Sequence, residues 1–161
     1  MEELRIVPVN PNDADFLFCI MNNEVILARL HEIPTTFEDW CDAIRIWDGD
    51  ADEENYIIWS SDKPIGWFSF NNLQSIDRIA YLKMAVILPE YQNKGIGTYA
   101  LTHFIAQMRE RRYNSIMLFT DKDNVTAQKC YQKCGFDVCE ELVETMSDNT
   151  NVERYKMVCK F

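Results

Sequence analysis

Several features that would place this sequence in a special class of protein are missing from it. No apolar run reaches the roughly 18–20 residues that a membrane-spanning helix needs. The sequence has no internal repeat, no low-complexity tract and no linker rich in Pro, Gly or Ser. Its start, Met1 to Arg5, has no cationic segment followed by an apolar stretch, so it does not read as a secretory signal. We therefore expect one domain over residues 1–161, in the cytoplasm and not bound to a membrane.

Disulfide and metal-binding patterns are also absent. The six cysteines include no Cys-x-x-Cys pair. Cys130, Cys134 and Cys139 could be imagined as zinc ligands, but their spacing is not that of a zinc finger and no histidine lies near them. The acidic run from Asp48 to Glu54 lacks the Gly and the final Glu of a calcium loop. We expect reduced, mostly buried thiols, a solvated acidic loop and no metal.

Charge is unevenly distributed along the chain. The net charge is −10, yet the segment from Lys83 to Lys133 holds eight basic and four acidic residues, which makes it +4 and the remainder −14. An acidic protein with one cationic segment is expected to bind an anionic ligand there, and it is a poor match for a nucleic-acid or membrane partner. A chance cluster on a solvated helix remains an alternative.

Hydrophobic periodicity predicts elements in the order β-α-α-β-β-β-α-β-α-β-β. The stretch Ala80 to Leu88 is apolar almost throughout, as in a strand at the centre of a sheet. An apolar helical stripe follows from Gly95 to Arg112, with cations in its last turn. The pattern therefore predicts a mixed α/β sheet with helices on both faces.

The sequence Gly95-x-Gly97 lies at the junction between this strand and this helix. A glycine pair at such a junction is typical of an anion-binding site. Glycines let successive backbone N–H groups turn inward, and a helix N-terminus adds partial positive charge. The third glycine of the dinucleotide-binding pattern is Ala100 here, a tolerated change, so a nicotinamide or nucleotide ligand stays open. A P-loop is excluded because no Gly-Lys-Ser/Thr follows.

The stretch Ile87 to Gly97 reads as an apolar strand end, a Pro, an aromatic, and then Gln/Arg-x-x-Gly-x-Gly/Ala. A second stretch reads Asp123-Asn124-x-x-Ala127-x-x-x-Tyr131-x-x-x-Gly135-Phe136. The two resemble motifs A and B of the GNAT superfamily of N-acetyltransferases. Together they span Ala80 to Phe136, whereas the first 79 residues match only in the order of elements.

The resemblance implies an α/β (α+β) fold: one GNAT-like domain with a mixed, mostly antiparallel central sheet of about seven strands, flanked by about four helices. It implies acetyl-CoA as cosubstrate and no metal. The backbone of Ala85, Val86 and Ile87 would pair with the pantetheine arm. The pyrophosphate would be held by backbone N–H groups of one loop, comprising Gln92, Asn93, Lys94, Gly95, Ile96, Gly97 and Thr98.

Further residues take roles from motif B. Asn124 would hydrogen-bond the pantetheine arm, Ala127 would belong to the same cofactor surface, and Tyr131 would protonate the departing thiolate. A phenol suits this role because it is still protonated at neutral pH. Each has a structural alternative: Gly97 as a helix-start turn, Asn124 as a helix cap and Tyr131 as a packing aromatic. A lysine could also reach the phosphates, with no basis for choosing among Lys94, Lys129 and Lys133.

The expected reaction is direct attack of a neutral amine on the acetyl carbonyl within a ternary complex. Histone-type members of the superfamily carry a Glu where Tyr81 stands here, and ribosomal-protein N-terminal acetylases carry one where Phe119 stands. Both departures favour a small amine over a protein substrate. The base is left open among Glu53, Glu54 and a water chain, although we expect both glutamates to lie in the solvated loop.

Charge is the main guide to the acceptor molecule. Acidity outside the cofactor segment fits a small cationic amine, such as a polyamine, aminoglycoside or amino-acid derivative. A non-catalytic acyl-CoA-binding sensor and a protein or peptide N-acetyltransferase remain alternatives, and the chain could be a monomer or a homodimer. A group of strand aromatics could line an acceptor pocket but more often fills a core; it comprises Tyr56, Trp59, Trp67, Phe68 and Phe70.

Overall fold

The computed structural model describes residues 2–161, which form seven strands and five α-helices. The strands are β1 Leu4–Pro8, β2 Glu54–Ser60, β3 Lys63–Asn71, β4 Ile79–Ile87, β5 Ser115–Asp121, β6 Asp137–Thr145 and β7 Asn151–Lys160. The helices are α1 Ala14–Ile20, α2 Glu24–Leu30, α3 Phe37–Asp48, α4 Ile96–Glu110 and α5 Val125–Lys133. Two short 3-10 helices precede α1 and α4, at Pro11–Asp13 and Pro89–Tyr91.

The seven strands form one sheet in the order β1-β2-β3-β4-β5-β7-β6, and only the pair β4–β5 is parallel. The predicted α/β class and the mostly antiparallel seven-stranded sheet are thereby confirmed. The predicted count of about four helices agrees roughly with the five observed, and α2 is the helix that the pattern did not reveal. Asn23 caps α2 by accepting from the N–H groups of Val25 and Ile26. Only Ile26 of its seven residues is buried, and seven residues are fewer than the roughly 11–18 over which a helical period is recognised.

The parallel pair is short, and this opens the middle of the sheet. Ile79, Ala80 and Tyr81 of β4 pair with Ser115, Ile116 and Met117 of β5. Beyond these positions β4 pairs with β3 alone and β5 with β7 alone, among the residues described. The two strands therefore separate, and each leaves an unpaired backbone edge facing the other.

Each face of the sheet is covered by its own apolar core. Helix α4 contributes Leu101, Phe104 and Met108 to the core on one face. The other face packs against α1 and α3, with Leu17, Ile20, Trp40 and Ile44 meeting strand residues such as Ile57 and Trp67. The strand aromatics mostly fill these cores, as expected: Trp67, Phe68 and Phe70 are buried, and Tyr56 and Trp59 are partly buried against the cores.

The acidic segment is a solvated loop only in its first part: residues 48–51 are exposed, whereas Asp52, Glu53 and Glu54 are partly buried. Asp52 accepts hydrogen bonds from the N–H groups of Asn72 and Gln74, at 3.2 and 2.8 Å. Glu53 forms an ion pair with Lys83, and both carboxylate oxygens of Glu54 bind the guanidinium of Arg111. These cations are distant in sequence: the register of β2, β3 and β4 brings Lys83 to the segment, and Arg111 comes from the end of α4.

The cysteines also differ in part from expectation. All six are free thiols, as predicted, but only Cys159 is buried, while Cys19 and Cys139 are exposed. Cys139 lies on β6, an edge strand that is exposed along most of its length. Within residues 2–161 no group of three or more metal-ligating side chains is found. No helix of that part of the chain is long and apolar enough to cross a membrane.

Close approach of β3 to β4 generates a stability prediction at Gly66. A Cβ built at this residue lies 2.8 Å from the carbonyl oxygen of Val86, which is fixed in the sheet ladder. We expect Gly66→Ala to lower the free energy of unfolding by about 1–3 kcal/mol, because the backbone must shift to relieve the overlap. Urea denaturation of the purified variants measures this.

The matched control is Gly49→Ala, since a Cβ at Gly49 meets nothing within 4 Å and its φ of −101° suits any residue. An equal loss of stability in both variants would contradict the close approach of the two strands.

Candidate active site

The opening between β4 and β5 widens into a cavity of about 890 Å³. Its walls come from both strands, the loop after β4, the first turn of α4, and from α2 and α5. From Leu82 to Ile87, β4 has no strand partner on the side that faces β5. Buried N–H and C=O groups need partners, so this edge can take an extended ligand that carries amides of its own.

The structure brings most of the sequence-predicted site residues to this one cavity. Its lining includes Ala85, Val86, Ile87, Gln92, Asn93, Gly95, Ile96, Gly97, Thr98, Asn124, Ala127 and Tyr131. Lys94 does not line it: the side chain is exposed, and its Nζ lies 5.7 Å from the centroid of the Tyr91 ring. Lys129 and Lys133 are likewise outside the lining. Side chains of these three lysines are therefore not part of the cavity wall.

The loop before α4 presents backbone donors. Asn93 and Gly95 both have left-handed conformations, with φ of 60° and 80°, and glycine adopts this region without strain. No side chain in the described chain caps α4, so the N–H groups of its first turn are available to a ligand. These groups and the helix dipole favour an anion at this position. The loop thus has the donors that a diphosphate requires.

Gly97 faces the cavity from the first turn of α4. A Cβ built there would lie 3.5 Å from the Sγ of Cys130 and 3.8 Å from the Cδ1 of Ile87, which are ordinary contacts. The fold therefore does not require glycine at this position. Because Gly97 has no side chain, a ligand in the cavity can approach the backbone closely at this position.

Tyr131 lies on α5 at the wall of the same cavity, with its ring 5.9 Å from that of Phe136. Tyr131 therefore both packs against Phe136 and lines the cavity. Burial raises the pKa of Tyr131 to about 12, and the neighbouring Cys130 adds to the rise. The hydroxyl is consequently protonated at neutral pH and can donate a proton to an anion that forms beside it.

Asn124 caps helix α5, which is one of the two roles predicted for it. Its side-chain oxygen accepts from the N–H of Ala127 at 3.3 Å, at the start of α5. It also lines the cavity, so the cap holds this side chain beside the space that the loop and β4 enclose.

A buried charged cluster that the sequence did not reveal lies at the end of β5, and two of its members, Asp121 and Arg154, line the cavity. The carboxylate of Asp121 is only 7% exposed; one oxygen lies 2.8 Å from the Nε2 of His31, and the other accepts from the Nε of Arg154 at 3.2 Å. Arg154 also donates to Glu144 at 2.7 Å. The only available signal was the position of Asp121 at the end of a strand, because its partners come from other elements.

His31 connects three elements around this cluster. It ends α2 in a left-handed conformation, contacts Asp121 at the end of β5, and its carbonyl accepts from the N–H of Asp148 in the β6–β7 turn. Asp148 and Thr150 of that turn also face its Nδ1, at 3.9 and 3.4 Å. The cluster therefore joins α2, which lines the cavity, to the end of β5 and to the β6–β7 turn.

Tyr81 and Phe119, at the positions where the sequence resemblance implies a glutamate in other members, pack edge to face with ring centroids 5.7 Å apart. Burial raises the pKa of Tyr81, although the charge of Arg154 opposes the rise. Neither residue supplies a carboxylate. The charged side chains that line the cavity are instead Arg29, Lys83, Asp121 and Arg154.

Comparison with known proteins gives a family match. The model of the Acetyltransferase (GNAT) family matches residues 19–136. Spermidine N(1)-acetyltransferase of Escherichia coli strain K12 is 23% identical over 162 residues, covering 98% of this chain and 86% of the relative. Mycothiol acetyltransferase of Corynebacterium aurimucosum is 25% identical over 116 residues, which is 71% of this chain. This chain spans 37% of the length of that relative.

Solved structures show the same fold. Spermidine N-acetyltransferase from Vibrio cholerae, in complex with CoA and spermine, superposes with a TM-score of 0.87 at 22% identity, covering 96% of this chain and 94% of that one. An acetyltransferase of the GNAT family from Streptococcus pneumoniae has a TM-score of 0.77 at 20% identity, covering 99% and 100%. At these identities the likeness establishes the fold.

The anion site predicts the outcome of adding a negative side chain at Gly97. We expect Gly97→Glu to remain folded, because the protein leaves room for a Cβ there, and to weaken acetyl-CoA binding at least about tenfold through bulk and charge repulsion. Calorimetric titration measures the affinity, and thermal unfolding checks the fold.

Gly49→Glu adds the same charge at the end of α3, away from the cavity, and should leave acetyl-CoA affinity unchanged. Retained binding in Gly97→Glu would show that the loop does not hold the diphosphate.

Proposed function

Because the chain belongs to the GNAT family and is an acetyl-CoA-dependent N-acetyltransferase, we propose that it acetylates the primary amine of a small cationic molecule by direct attack in a ternary complex. One observation carries this proposal. A single cavity joins an uncapped helix N-terminus, the unpaired edge of β4 and the hydroxyl-bearing side chain of Tyr131.

The donor half of the cavity fits the chemistry of acetyl-CoA. A diphosphate needs several N–H donors, which the loop from Gln92 to Thr98 can supply. Pantetheine carries two amides in an extended arm, and the edge of β4 from Leu82 to Ile87 offers complementary backbone groups. In this arrangement the thioester end of the arm points toward the part of the cavity that Tyr131 lines.

Tyr131 acts as the acid in the proposed reaction. When the amine nitrogen attacks the acetyl carbonyl, the C–S bond breaks and a thiolate leaves. The phenol gives this sulfur a proton, which a group with a pKa of about 12 still holds at neutral pH. The remainder of the rate enhancement comes from holding the two reactants together.

The two glutamates considered as bases differ in their surroundings. Glu54 is bound by Arg111 through both oxygens and lies outside the cavity lining. Burial alone would raise its pKa, but hydrogen bonds from Arg111 and Tyr56 outweigh this and lower it. Glu53 also lies outside the lining of this cavity, but it is paired with Lys83, a residue that lines it. We therefore favour Glu53 over Glu54 as the proton acceptor.

A small cationic acceptor is favoured by the surroundings of the cavity and by the charge of the chain. The contacts of His31 hold α2, which lines the cavity, against the end of β5 and the β6–β7 turn. The three cations of the lining, Arg29, Lys83 and Arg154, are each paired with a carboxylate from outside it, namely Asp123, Glu53 and Glu144. The charge of −14 outside the segment from Lys83 to Lys133 and the likeness to a spermidine N(1)-acetyltransferase support an ammonium-bearing acceptor.

A panel of amines tests the function. Purified protein and acetyl-CoA are incubated with diamines and polyamines, an aminoglycoside, neutral amino-acid amides and short peptides, and both free thiol and acetylated product are measured. We expect the highest kcat/KM with a cationic small amine. Turnover confined to peptides would overturn the small-molecule assignment, and acetyl-CoA binding without turnover of any amine would favour the sensor.

The acid role predicts the effect of Tyr131→Phe. Removing the hydroxyl should lower kcat by about 10²-fold or more, whereas the Kd of acetyl-CoA should change little. Steady-state kinetics and calorimetry measure the two quantities. Tyr99→Phe is the matched control, since the Tyr99 hydroxyl bonds the carbonyl of Leu4 outside the cavity. Equal turnover in wild type and Tyr131→Phe would remove Tyr131 from the acid role.

The pH dependence follows from the same residue. The pKa of Tyr131 is raised, so its protonated form persists above the range in which an alkyl amine, with a pKa of about 10.4, loses its proton. We expect kcat/KM for the amine to increase with pH up to about 10 without a falling limb from Tyr131. A falling limb near neutral pH that disappears in Tyr131→Phe would contradict the raised pKa.

A further inference from the structure

We propose that the protein acetylates itself on the Nζ of Lys83, with acetyl-CoA as donor. The inference rests on the proposed function, because it uses the same donor site and the same acid. What is new is a second acceptor for that chemistry, which is a primary amine built into the cavity wall.

Lys83 is placed where an acceptor amine has to be. It is the one lysine among the lining residues in the described part of the chain. It immediately precedes Met84 and Ala85, and this stretch of β4 has no strand partner on the side facing β5. A pantetheine arm paired along this edge therefore brings the thioester within a few residues of Lys83.

A β-bulge interrupts β4 at Lys83. The register with β3 shifts here: Ser69 pairs with Met84, and Phe70 pairs with Leu82, so Lys83 has no partner of its own. The residues from Leu82 to Ile87 all line the cavity along the open edge of the strand. The bulge therefore lies within that edge and breaks the regular alternation of side chains at the residue that carries the primary amine.

Glu53 supplies the proton acceptor that the reaction needs. Its side chain is 10% exposed and paired with the Nζ of Lys83, whose side chain is 28% exposed. The ammonium gives one proton to Glu53, and the nitrogen lone pair then forms the N–C bond to the acetyl carbonyl carbon. The C–S bond breaks, the thiolate takes a proton from Tyr131, and the second proton lost by nitrogen restores the tyrosine. The products are acetyl-Lys83 and CoA with a free thiol.

The modification changes the charge of the acceptor end. An amide cannot pair with a carboxylate as an ammonium does, so acetylation leaves the largely buried Glu53 without its cation. Glu53 is then available to the ammonium group of an incoming amine.

Quantitative mass spectrometry after incubation with acetyl-CoA, without added amine, tests the proposal. Exposed Lys94, Lys129 and Lys133 in the same digest report non-enzymatic acetylation. We expect Lys83 to be acetylated at least about tenfold faster than these references, because positioning replaces a bimolecular encounter. In Tyr131→Phe the rate at Lys83 should fall by about 10²-fold, with the reference lysines unchanged. Glu53→Gln should likewise slow Lys83 alone.

Lys83→Arg keeps the cation and should show acetylation at the reference lysines only. A rate at Lys83 no higher than at the references, or one that is equal in Tyr131→Phe, overturns the proposal. Turnover of added amines is recorded in parallel. If amines are acetylated while Lys83 stays unmodified, self-acetylation is refuted and the proposed function stands; if neither is acetylated, both are refuted.

Discussion

The early separation of β4 from β5 creates the cavity on which the proposed chemistry depends. The strands share three paired positions, and then each continues with a neighbour on its other side only. A buried backbone group without a partner costs about 1–3 kcal/mol, so an opening of this kind persists in a fold when something else pairs with it. We infer that this partner is the pantetheine arm of the cosubstrate, and that the sheet stays open because a ligand completes it.

The two helices beside the opening, α4 and α5, differ in how their first turns are capped. Helix α4 begins at Gly95 without a side-chain cap, which leaves its N–H groups to a ligand. Helix α5 is capped by Asn124, which fixes its first turn and thereby the position of Tyr131 two turns later. The start of α4 therefore offers N–H donors, and the start of α5 fixes the Tyr131 side chain beside the same cavity. The ion pairs of Asp121 with Arg154 and His31 lie at the end of β5.

Local sequence was informative wherever a function depends on residues close together in the chain. The glycine loop, the cap Asn124 and Tyr131 lie within two short motifs, and the structure gathers them around one cavity. The charged cluster around Asp121 and the pair of Glu53 with Lys83 were not predictable in this way. Arg154 faces Asp121 because β5 pairs with β7, and Glu53 meets Lys83 across three strands. Proximity in sequence could also mislead. Asn93 and Gly95 line the cavity, but the side chain of Lys94 between them does not.

A crystal structure of the protein with CoA bound tests the cofactor role of this opening most directly. We expect diphosphate oxygens at the N–H groups of Gly95 to Thr98 and pantetheine amides paired with β4 between Leu82 and Ile87. The sulfur should lie within about 3–4 Å of the Tyr131 hydroxyl, close enough for proton transfer. CoA bound outside the opening between β4 and β5, or a sulfur remote from Tyr131, would contradict that role.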